Sequence, residues 1–455
     1  MKLYSEGENY KLYHGNMLDL AEIIKPNTIG AVITDPPYEL NFMGKGWDNS
    51  GIAFQADTWR KCHEVLKPGG YLLAFGGSRT FHRIAVAIED AGFEIRDVII
   101  WLYGSGFPKS MNIGKGVEAK LTTGSANTQE FKKLAGTKTE SGGWGISKNS
   151  LEYGARPSDY SADGHLMTVD VDYTTEEGRK WDGWGTALKP SYEPIIVARK
   201  PCEGSCVDNV LKYGVGGLNI EDCRIGNETI KGGTAPNFRD VGRKQLEVSG
   251  VHKLSFGQIS NAERIEYADH EGRFPANTIL TYDDSDFNEV CGGLGTNGDS
   301  GNACRYFYTA KAGRKDREDG CKDLEDGILR RMRPDKDDSN PTGLNKDGKF
   351  APITRKNTHP TVKPCELMQY LVRLVTPDNE TVLDTFNGSG STGKAVMLEN
   401  AERGKHYKYI GIELTDEYLP IAKARIEYAI NGPEFEEIVY ENGAKQMSIF
   451  DFIGE

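Results

Sequence analysis

The stretch Ile29-Gly30-Ala31-Val32-Ile33-Thr34-Asp35-Pro36-Pro37-Tyr38 decides the fold class predicted for this chain. Its first six residues show no polar alternation and include β-branched side chains, which predicts a buried strand of a parallel sheet. Proline has no backbone donor, so the strand must end before Pro36. Asp35 and Tyr38 are therefore presented at the carboxyl end of a strand, where open α/β sheets place their ligand sites.

The residues that follow this strand suit a planar group with an exocyclic amine, such as adenine or cytosine. The two prolines stiffen the backbone and can offer a fixed carbonyl acceptor. Asp35 supplies a second acceptor, and Tyr38 supplies a flat ring on which a base can stack. A plain Pro-Pro turn with a solvated aspartate would use the same residues, and this motif alone does not separate the two interpretations.

The composition is that of a large, acidic, water-soluble protein. The chain has 455 residues and a net charge of −12, enough for two or more domains. It lacks a secretory signature and any apolar run of membrane-spanning length, so we expect a cytoplasmic, nucleoid-associated protein. The charge argues against a uniformly basic nucleic-acid binder but permits a local basic groove, and residues 305–356 hold a local excess of arginine and lysine.

The eight cysteines predict no metal centre. Cys202 and Cys206 could supply half of a zinc site, but no second close cysteine or histidine pair completes it. We therefore expect reduced, structural cysteines, as in a reducing cytoplasm.

Strand and helix patterns alternate over residues 10–120 and return from about residue 361. This βαβ series implies a parallel sheet, with Pro68-Gly69-Gly70 as a turn before one of its strands. The intervening residues are rich in Gly, Ser, Asn and Asp, and they predict an irregular insert with long functional loops. The α/β domain is therefore expected to be split by its insert.

A glycine-rich turn, Phe386-Asn387-Gly388-Ser389-Gly390-Ser391-Thr392-Gly393-Lys394, follows a predicted strand and opens a helix. It fits a dinucleotide fingerprint, with Glu413 placed 20 residues beyond Gly393 to hold a ribose. It nearly fits a phosphate-binding P-loop, but Ala395 replaces the hydroxyl residue that Mg²⁺ requires. It also fits a nucleoside cofactor without a pyrophosphate. The glycines alone do not choose between the first and third interpretations.

The two motifs taken together resemble the β class of amino-methylating DNA methyltransferases, as found in phages and bacteria. In that class a D-P-P-Y motif (Asp35–Tyr38) precedes a long variable region and then an F-x-G-x-G motif (Phe386, Gly388, Gly390). Asn357–Pro364 is similar to the H-P-T-x-K-P segment of the family, and Gly185–Pro190 and Arg273–Asn277 resemble segments of its members. Asn16 departs from the family, where an acid is common.

The resemblance implies a Rossmann-like, circularly permuted α/β methyltransferase fold with an inserted irregular α+β target-recognition region. The implied domains are a catalytic half at 1–120, the target-recognition insert at 121–356, a cofactor-binding half at 357–435 and a tail at 436–455. The implied reaction transfers a methyl group from S-adenosyl-L-methionine to N6 of an adenine flipped out of double-stranded DNA.

The same resemblance implies the site residues. Those expected to be catalytic are Asp35, Pro36, Pro37 and Tyr38. Those expected to bind the cofactor are Asp35, His359, Thr361, Lys363, Asp384, Phe386, Asn387, Gly388, Ser389, Gly390 and Glu413, with Thr361 and Lys363 reaching the methionine carboxylate. D-P-P-Y leans toward adenine in the family. N4 of cytosine stays open as the near alternative, and a silent DNA-binding homologue and a nicotinamide dehydrogenase are distant ones.

The C-terminal segment Gln446-Met447-Ser448-Ile449-Phe450 resembles the peptide with which bacterial replication and repair proteins hold the sliding clamp. Ile449 and Phe450 would be its apolar anchors. Docking of these residues on their own domain is the alternative. The expected partners are therefore double-stranded DNA, the sliding clamp and, as a further option, a second copy of the chain.

Overall fold

The computed structural model describes thirteen stretches of the chain. The clamp-like peptide Gln446–Phe450, the tail 436–455 and most of the basic stretch 305–356 lie outside them. Within them, no helix is long and apolar enough to cross a membrane. The described stretches are 1–40, 50–103, 110–126, 138–140, 167–169, 173–232, 234–236, 264–266, 268–281, 308–309, 314–325, 327–329 and 353–432.

The described residues form strands and helices with the following bounds. The strands are β1 (Lys2–Glu6), β2 (Tyr10–His14), β3 (Ile29–Thr34), β4 (Leu66–Phe75), β5 (Glu94–Tyr103), β6 (Lys138–Glu140), β7 (Met167–Val169), β8 (Tyr192–Arg199), β9 (Ile225–Ile230), β10 (Thr234–Pro236), β11 (Arg264–Glu266), β12 (His270–Arg273), β13 (Thr278–Thr281), β14 (Tyr308–Thr309), β15 (Gly327–Leu329), β16 (Ile353–Arg355), β17 (Thr381–Asp384) and β18 (Lys408–Glu413). The α-helices are α1 (Ala56–Val65), α2 (Phe81–Asp90), α3 (Ile113–Thr123), α4 (Glu176–Lys180), α5 (Cys206–Tyr213), α6 (Arg314–Glu318), α7 (Cys365–Val375), α8 (Ser391–Arg403) and α9 (Leu419–Asn431). Short 3₁₀ helices cover Met17–Glu22, Ile52–Phe54, Glu221–Cys223 and Asp416–Tyr418.

A ten-stranded sheet forms the centre of the molecule, in the order β1-β2-β18-β17-β3-β4-β8-β5-β13-β14. Neighbouring strands from β2 to β4 are parallel, as are β5, β13 and β14. β8 runs antiparallel between β4 and β5, and β1 is antiparallel to β2. The predicted α/β class is confirmed, and the two antiparallel strands, β1 and β8, lie outside the stretches for which a parallel sheet was predicted.

Helices cover both faces of this sheet and create two apolar layers. Ala31 and Ile33 of β3 point into one core, which contains α7, α8 and α9. Val32, between them, points into the other core with α1 and α2. Because consecutive side chains of a strand alternate between faces, a strand covered on both sides is apolar throughout. This is why Ile29–Thr34 lacks polar alternation.

Three strands of the central sheet, β8, β13 and β14, come from the stretch predicted as an insert. β8 pairs with β4 and β5 over nearly its whole length, and β13 pairs with β5. The boundary predicted at residue 121 therefore does not coincide with an edge of the sheet. The apolar run of β8 had indicated an ordered patch, but such a run carries no information about which strand it will pair with.

Pro68-Gly69-Gly70 lies within β4 and not in a turn before it. The pairing of β4 with β3 shifts register between Leu66 and Tyr71, which makes this segment a bulge. Gly69 adopts a positive φ of 80°, and its amide donates a hydrogen bond to the carbonyl of Lys200 at 3.0 Å. The pairing with the β8 side therefore continues through the bulge, and the strand is longer than predicted.

The two halves of the α/β domain meet in the middle of the sheet. β17, from the second half, pairs with β3 through Val382–Ala31 and Leu383–Val32. β18 pairs with β2 on the other side of β17. The last two strands of the sheet in the chain are thus inserted between the second and third, which places the ends of β3, β17 and β18 side by side.

Gly393, in the first turn of α8, allows that helix to lie close to the sheet. A Cβ atom on this residue would lie 2.5 Å from a ring carbon of Tyr409 and 2.6 Å from Cδ1 of Ile426. Both neighbours belong to the core between α8, α9 and β18. Any side chain at this position would therefore push α8 away from the sheet.

We expect Gly393→Ala to lower the free energy of unfolding by about 1–3 kcal/mol, because the added methyl group overpacks the core. Gly116→Ala in α3 is the matched control, since its Cβ would meet only Met111 at 3.5 Å. That change should raise the free energy of unfolding by up to about 1 kcal/mol through helix propensity. Urea unfolding followed by circular dichroism measures both, and equal effects of the two changes would contradict the packing argument.

Candidate active site

A cavity of about 720 Å³ opens at the carboxyl edge of the central sheet, and the predicted site residues converge on it. β8 runs against its neighbours, so its first residues reach the same edge as the last residues of β3 and β4. Gly390 is the one predicted residue that does not line the cavity. The predicted residues that line it are Asp35, Pro36, Pro37, Tyr38, His359, Thr361, Lys363, Asp384, Phe386, Asn387, Gly388, Ser389 and Glu413.

Lys363 is held by Asp35 in this structure. Its ammonium lies 2.6 Å from Asp35 Oδ2 and 3.4 Å from Glu193 Oε2. Burial lowers the pKa of Lys363, but the negative charges of Asp35 and Glu193 outweigh it, so that the pKa is raised overall. The side chain expected to reach a methionine carboxylate therefore points at the D-P-P-Y motif.

The second oxygen of Asp35 is buried and accepts no hydrogen bond from the described residues. Asp35 lines the cavity. A buried carboxylate oxygen without a donor is costly, and such an atom in a cavity is best explained by a ligand that donates to it. Asp35 thus has one oxygen fixed by Lys363 and one available as an acceptor.

Tyr38 is fixed at both ends. Its hydroxyl donates to Glu193 Oε2 at 2.8 Å, and its carbonyl accepts from the Thr80 hydroxyl at 2.8 Å. Burial and the negative charges of Asp35 and Glu193 raise the pKa of Tyr38 well above its usual value, so the phenol stays protonated and remains a donor. The ring orientation is therefore set before any ligand arrives.

Glu193 is the residue that sequence reasoning missed. It lines the cavity and contacts both Tyr38 and Lys363. The signal was an acidic residue near the start of an otherwise apolar strand, Tyr192–Arg199. An acid in such a strand must find a partner, but the sequence does not say which one.

Asp384 holds the glycine-rich turn in place. Its Oδ1 accepts from the Thr34 hydroxyl at 2.7 Å and from the Phe386 amide at 3.1 Å, and its Oδ2 accepts from the Thr392 hydroxyl at 2.6 Å. Burial raises the pKa of Asp384 to about 6, although these hydrogen bonds oppose the shift. Both oxygens thus accept hydrogen bonds from the protein, so Asp384 fixes the geometry of the turn and also lines the cavity.

Glu413 closes the glycine-rich turn from the end of β18. Its two oxygens accept from the amides of Gly388 and Thr415, each at 2.7 Å. Burial raises the pKa of Glu413, and these hydrogen bonds work against the shift. Each oxygen keeps a further lone pair and the residue lines the cavity, so the carboxylate can also accept from a ligand hydroxyl.

Two glycines of the turn are required by its geometry. Gly388 and Gly390 adopt positive φ values of 51° and 73°, which side chains rarely tolerate. A Cβ on Gly388 would lie 2.8 Å from His359 Nε2, and one on Gly390 would lie 2.9 Å from Ala422. Gly390 therefore acts through packing, which explains why it does not face the cavity.

Lys394, the lysine of the near P-loop match, does not line the cavity. It is buried and pairs with Asp316 and Asp319 at 2.9 and 3.1 Å. A P-loop lysine must reach the bound phosphates. The structure therefore agrees with the sequence argument against phosphoryl transfer.

His359 is a neutral structural element of the cavity wall near pH 7. Its Nδ1 lies 2.6 Å from the carbonyl of Thr361, and its ring meets that of Tyr418 edge-on at 4.5 Å. Burial lowers the pKa of His359 to about 4, against the raising effect of the Thr361 carbonyl. The imidazole thus organises the segment that carries Thr361 and Lys363.

The described residues contain no group of three or more histidine, cysteine or acidic side chains that could hold a metal ion. The sulfurs of Cys202 and Cys206 lie 3.8 Å apart, away from the cavity lining.

Comparison with known proteins identifies relatives over most of the chain. Residues 29–424 match the N6/N4 methyltransferase family model, described as DNA methylase. The type II methyltransferase M2.LlaDCHI of Lactococcus lactis subsp. cremoris is 24% identical over 275 residues, covering 56% of this chain and 95% of that protein. M2.DpnII of Streptococcus pneumoniae is 39% identical over 69 residues, covering 15% of this chain and 24% of that protein.

Solved structures also align with the chain at low similarity. PvuII DNA methyltransferase, described as cytosine-N4-specific, is 14% identical, with a TM-score of 0.39 and 94% of each chain covered. The M1.HpyAVI–SAM complex is 15% identical, with a TM-score of 0.34, covering 92% of this chain and 99% of that one.

We expect Asp384→Asn to remove a pH dependence from the stability of the protein. The folded pKa of Asp384, about 6, exceeds its unfolded value, so this group's contribution is most favourable at low pH and is lost as pH rises through 6. Asparagine keeps the same acceptor toward Thr34 and Phe386, and the Thr392 hydroxyl can rotate to accept from its amide.

The free energy of unfolding of the variant, relative to the wild type, should therefore rise between pH 4.5 and 7 and stay constant above it. Urea titrations of both proteins across this range measure the difference. A difference that does not change with pH would show that Asp384 is ionised throughout.

Proposed function

The chain belongs to the N6/N4 family of DNA methylases, and on that premise we propose that it methylates N6 of an adenine flipped out of double-stranded DNA at a specific site. The observation that carries the proposal is that Asp35 lines the cavity at the carboxyl edge of the sheet and that its buried Oδ1 accepts no hydrogen bond from the described residues. An exocyclic amine is a donor that would satisfy this oxygen. The D-P-P-Y form of the motif favours adenine over cytosine.

S-adenosyl-L-methionine is the cofactor of this family, and it supplies an electrophilic methyl group on a sulfonium. The residues present fit it. Glu413 offers buried acceptors to ribose hydroxyls, and Gly388, which lines the cavity and has no side chain, can present its backbone to the cofactor. The other residues proposed to line the cofactor site are Phe386, Asn387, Ser389, Thr361 and His359.

Asp35 and the carbonyl of Pro36 are proposed to accept the two hydrogens of the target amine. The lone pair of such an amine is delocalised into the ring, which makes it a weak nucleophile. Acceptors fixed at both hydrogens favour a lone pair localised on nitrogen and stabilise the positive charge that develops there. Asp35 can take up the proton afterwards, so it need not be a strong base.

Lys363 and Glu193 are proposed to position this acceptor. Lys363 holds Oδ2 of Asp35 and thereby fixes the orientation of the carboxylate, while Glu193 also contacts the Lys363 ammonium and orients Tyr38. The cluster has two carboxylates around one ammonium, so the cation is paired and an excess negative charge remains on the carboxylates. Tyr38 can then offer its ring to the target base.

The stretch 121–356 is proposed to provide the target-recognition surface around the sheet. A base inside a duplex cannot reach a cavity of this depth, so the nucleotide must leave the stack. N4 of cytosine presents the same amine to Asp35 and Pro36, and it remains the alternative substrate. A silent DNA-binding homologue would not need the intact acceptor and cofactor residues.

DNA from a host that expresses the protein should contain N6-methyladenine at one short motif. Long-read sequencing that detects modified bases locates the motif, and mass spectrometry of the digested nucleosides identifies the base. N4-methylcytosine in place of N6-methyladenine would show that the target base is cytosine. The absence of any new mark, in a host that contains the folded protein, would favour the silent homologue.

We expect Asp35→Asn to lower methyl transfer by a factor of roughly 10² or more, because the variant presents a weaker acceptor to the amine and loses its charge. Binding of S-adenosyl-L-methionine, measured by calorimetry, should be retained. Asp57→Asn, on the exposed surface of α1, is the control and should transfer methyl groups normally. Full activity of Asp35→Asn would rule out this role of the carboxylate.

A further inference from the structure

The loop Trp181–Pro190, between α4 and β8, is exposed at every residue. Leu188 is 92% exposed, more than any other large apolar side chain in the described part of the chain, and Trp184 is 60% exposed. Trp181 and Trp184 contact each other edge-on at 5.2 Å. Single exposed apolar side chains are normal on a protein surface, but three large ones in one ten-residue loop, two of them in contact, favour an interaction surface.

Hydrogen bonds fix the loop to the segment that enters α3. The Ser110 hydroxyl accepts from the amides of Thr186 and Ala187 at 3.0 and 3.3 Å. The Thr186 hydroxyl accepts from the Met111 amide at 2.9 Å, and the Trp184 carbonyl accepts from the Ile113 amide at 2.8 Å. Leu188 therefore extends from a braced loop and is not exposed merely by local disorder of the backbone.

The approach of the loop to this segment depends on two glycines. A Cβ on Gly185 would lie 2.4 Å from the Ser110 hydroxyl oxygen, and one on Gly114 would lie 2.8 Å from the backbone of Asp182. Buried Glu118 further ties α3 to the start of α4 by accepting hydrogen bonds from the amides of Thr174 and Thr175. The loop thus rests on a defined platform.

The loop leads directly into the cavity. Pro190, Tyr192 and Glu193 line it, and Leu188 stands two residues before Pro190, so their Cα atoms are at most about 7 Å apart. A base bound in the cavity stays attached to its strand, so the duplex must lie against the mouth. Under the proposed function, the exposed residues at that mouth therefore face DNA.

We propose that Trp181–Pro190 is a DNA-contacting loop and that the Leu188 side chain enters the gap left in the duplex by the flipped base. The inference rests on the proposed function. Proteins that open a base stack frequently insert an apolar side chain between the bases. Leu188 supplies such a side chain and prevents the target base from returning.

The test compares Leu188→Ala with Leu188→Met and with Leu211→Ala. Methionine keeps the apolar bulk. Leu211 is 82% exposed on α5, a helix that packs at the opposite edge of the sheet, where Asn209 bonds the carbonyl of Pro68 at the start of β4. Leu211→Ala thus makes the same chemical change at a similarly exposed position, away from the cavity.

The substrates are two unmethylated DNA duplexes that carry the recognition motif. One is fully paired, and the other has an abasic site opposite the target base. On the paired duplex, Leu188→Ala should lower kcat/KM roughly tenfold or more, since closing of the stack is no longer opposed. On the abasic duplex, the kcat/KM of Leu188→Ala should lie within about twofold of the wild-type value, because the target base is already unpaired. Leu188→Met and Leu211→Ala should act like the wild type on both.

The outcomes separate this inference from the function on which it rests. Equal activity of Leu188→Ala and the wild type on the paired duplex would overturn the inference, and so would an equal loss on both duplexes. Methylation of neither duplex by the wild type would overturn the proposed function, and the inference with it.

Discussion

The hydrogen bond from Thr34 to Asp384 joins two parts of the chain that are 350 residues apart, and the site depends on it. Thr34 ends the strand that presents Asp35, and Asp384 ends the strand that begins the glycine-rich turn. The same carboxylate bonds the Phe386 amide and the Thr392 hydroxyl. One buried acid thus fixes the distance between the proposed acceptor of the target amine and the proposed cofactor turn. Methyl transfer needs that distance to be held within a fraction of an ångström.

A second constraint is the direction of β8. A parallel strand at this place would put its carboxyl end at the cavity, and Tyr192 and Glu193 would lie at the opposite edge. Because β8 is antiparallel to β4 and β5, its polar start reaches the cavity and its apolar body fills the sheet. The Lys363 ammonium is consequently enclosed by Asp35, Glu193 and the Tyr38 hydroxyl. A buried cation in this position is stable only because two carboxylates share it.

The local parts of this arrangement were predictable from sequence, and the long-range parts were not. Ile29–Thr34 is apolar throughout because both faces are covered, and the following prolines end the strand at the predicted place. The glycine-rich turn can likewise be predicted from its residue types. Other features depend on contacts between distant segments. These are the ion pair of Lys363, the place of Tyr192–Arg199 in the central sheet and the hydrogen bonds of Asp384. Periodicity describes which face of an element is buried, but it does not say what buries it.

The insertion of β17 and β18 between β2 and β3 has a consequence for synthesis of the protein. While the first part of the chain leaves the ribosome, β2 and β3 each lack one of the two strands that they pair with in the finished sheet. At roughly 5–20 residues per second, the 350 residues between Thr34 and Asp384 take on the order of 20 to 70 s to appear. Apolar strand edges are exposed to other chains during that time. These strand edges therefore stay unpaired until nearly the whole chain has been translated, and lower growth temperatures, which slow translation, should lengthen that period.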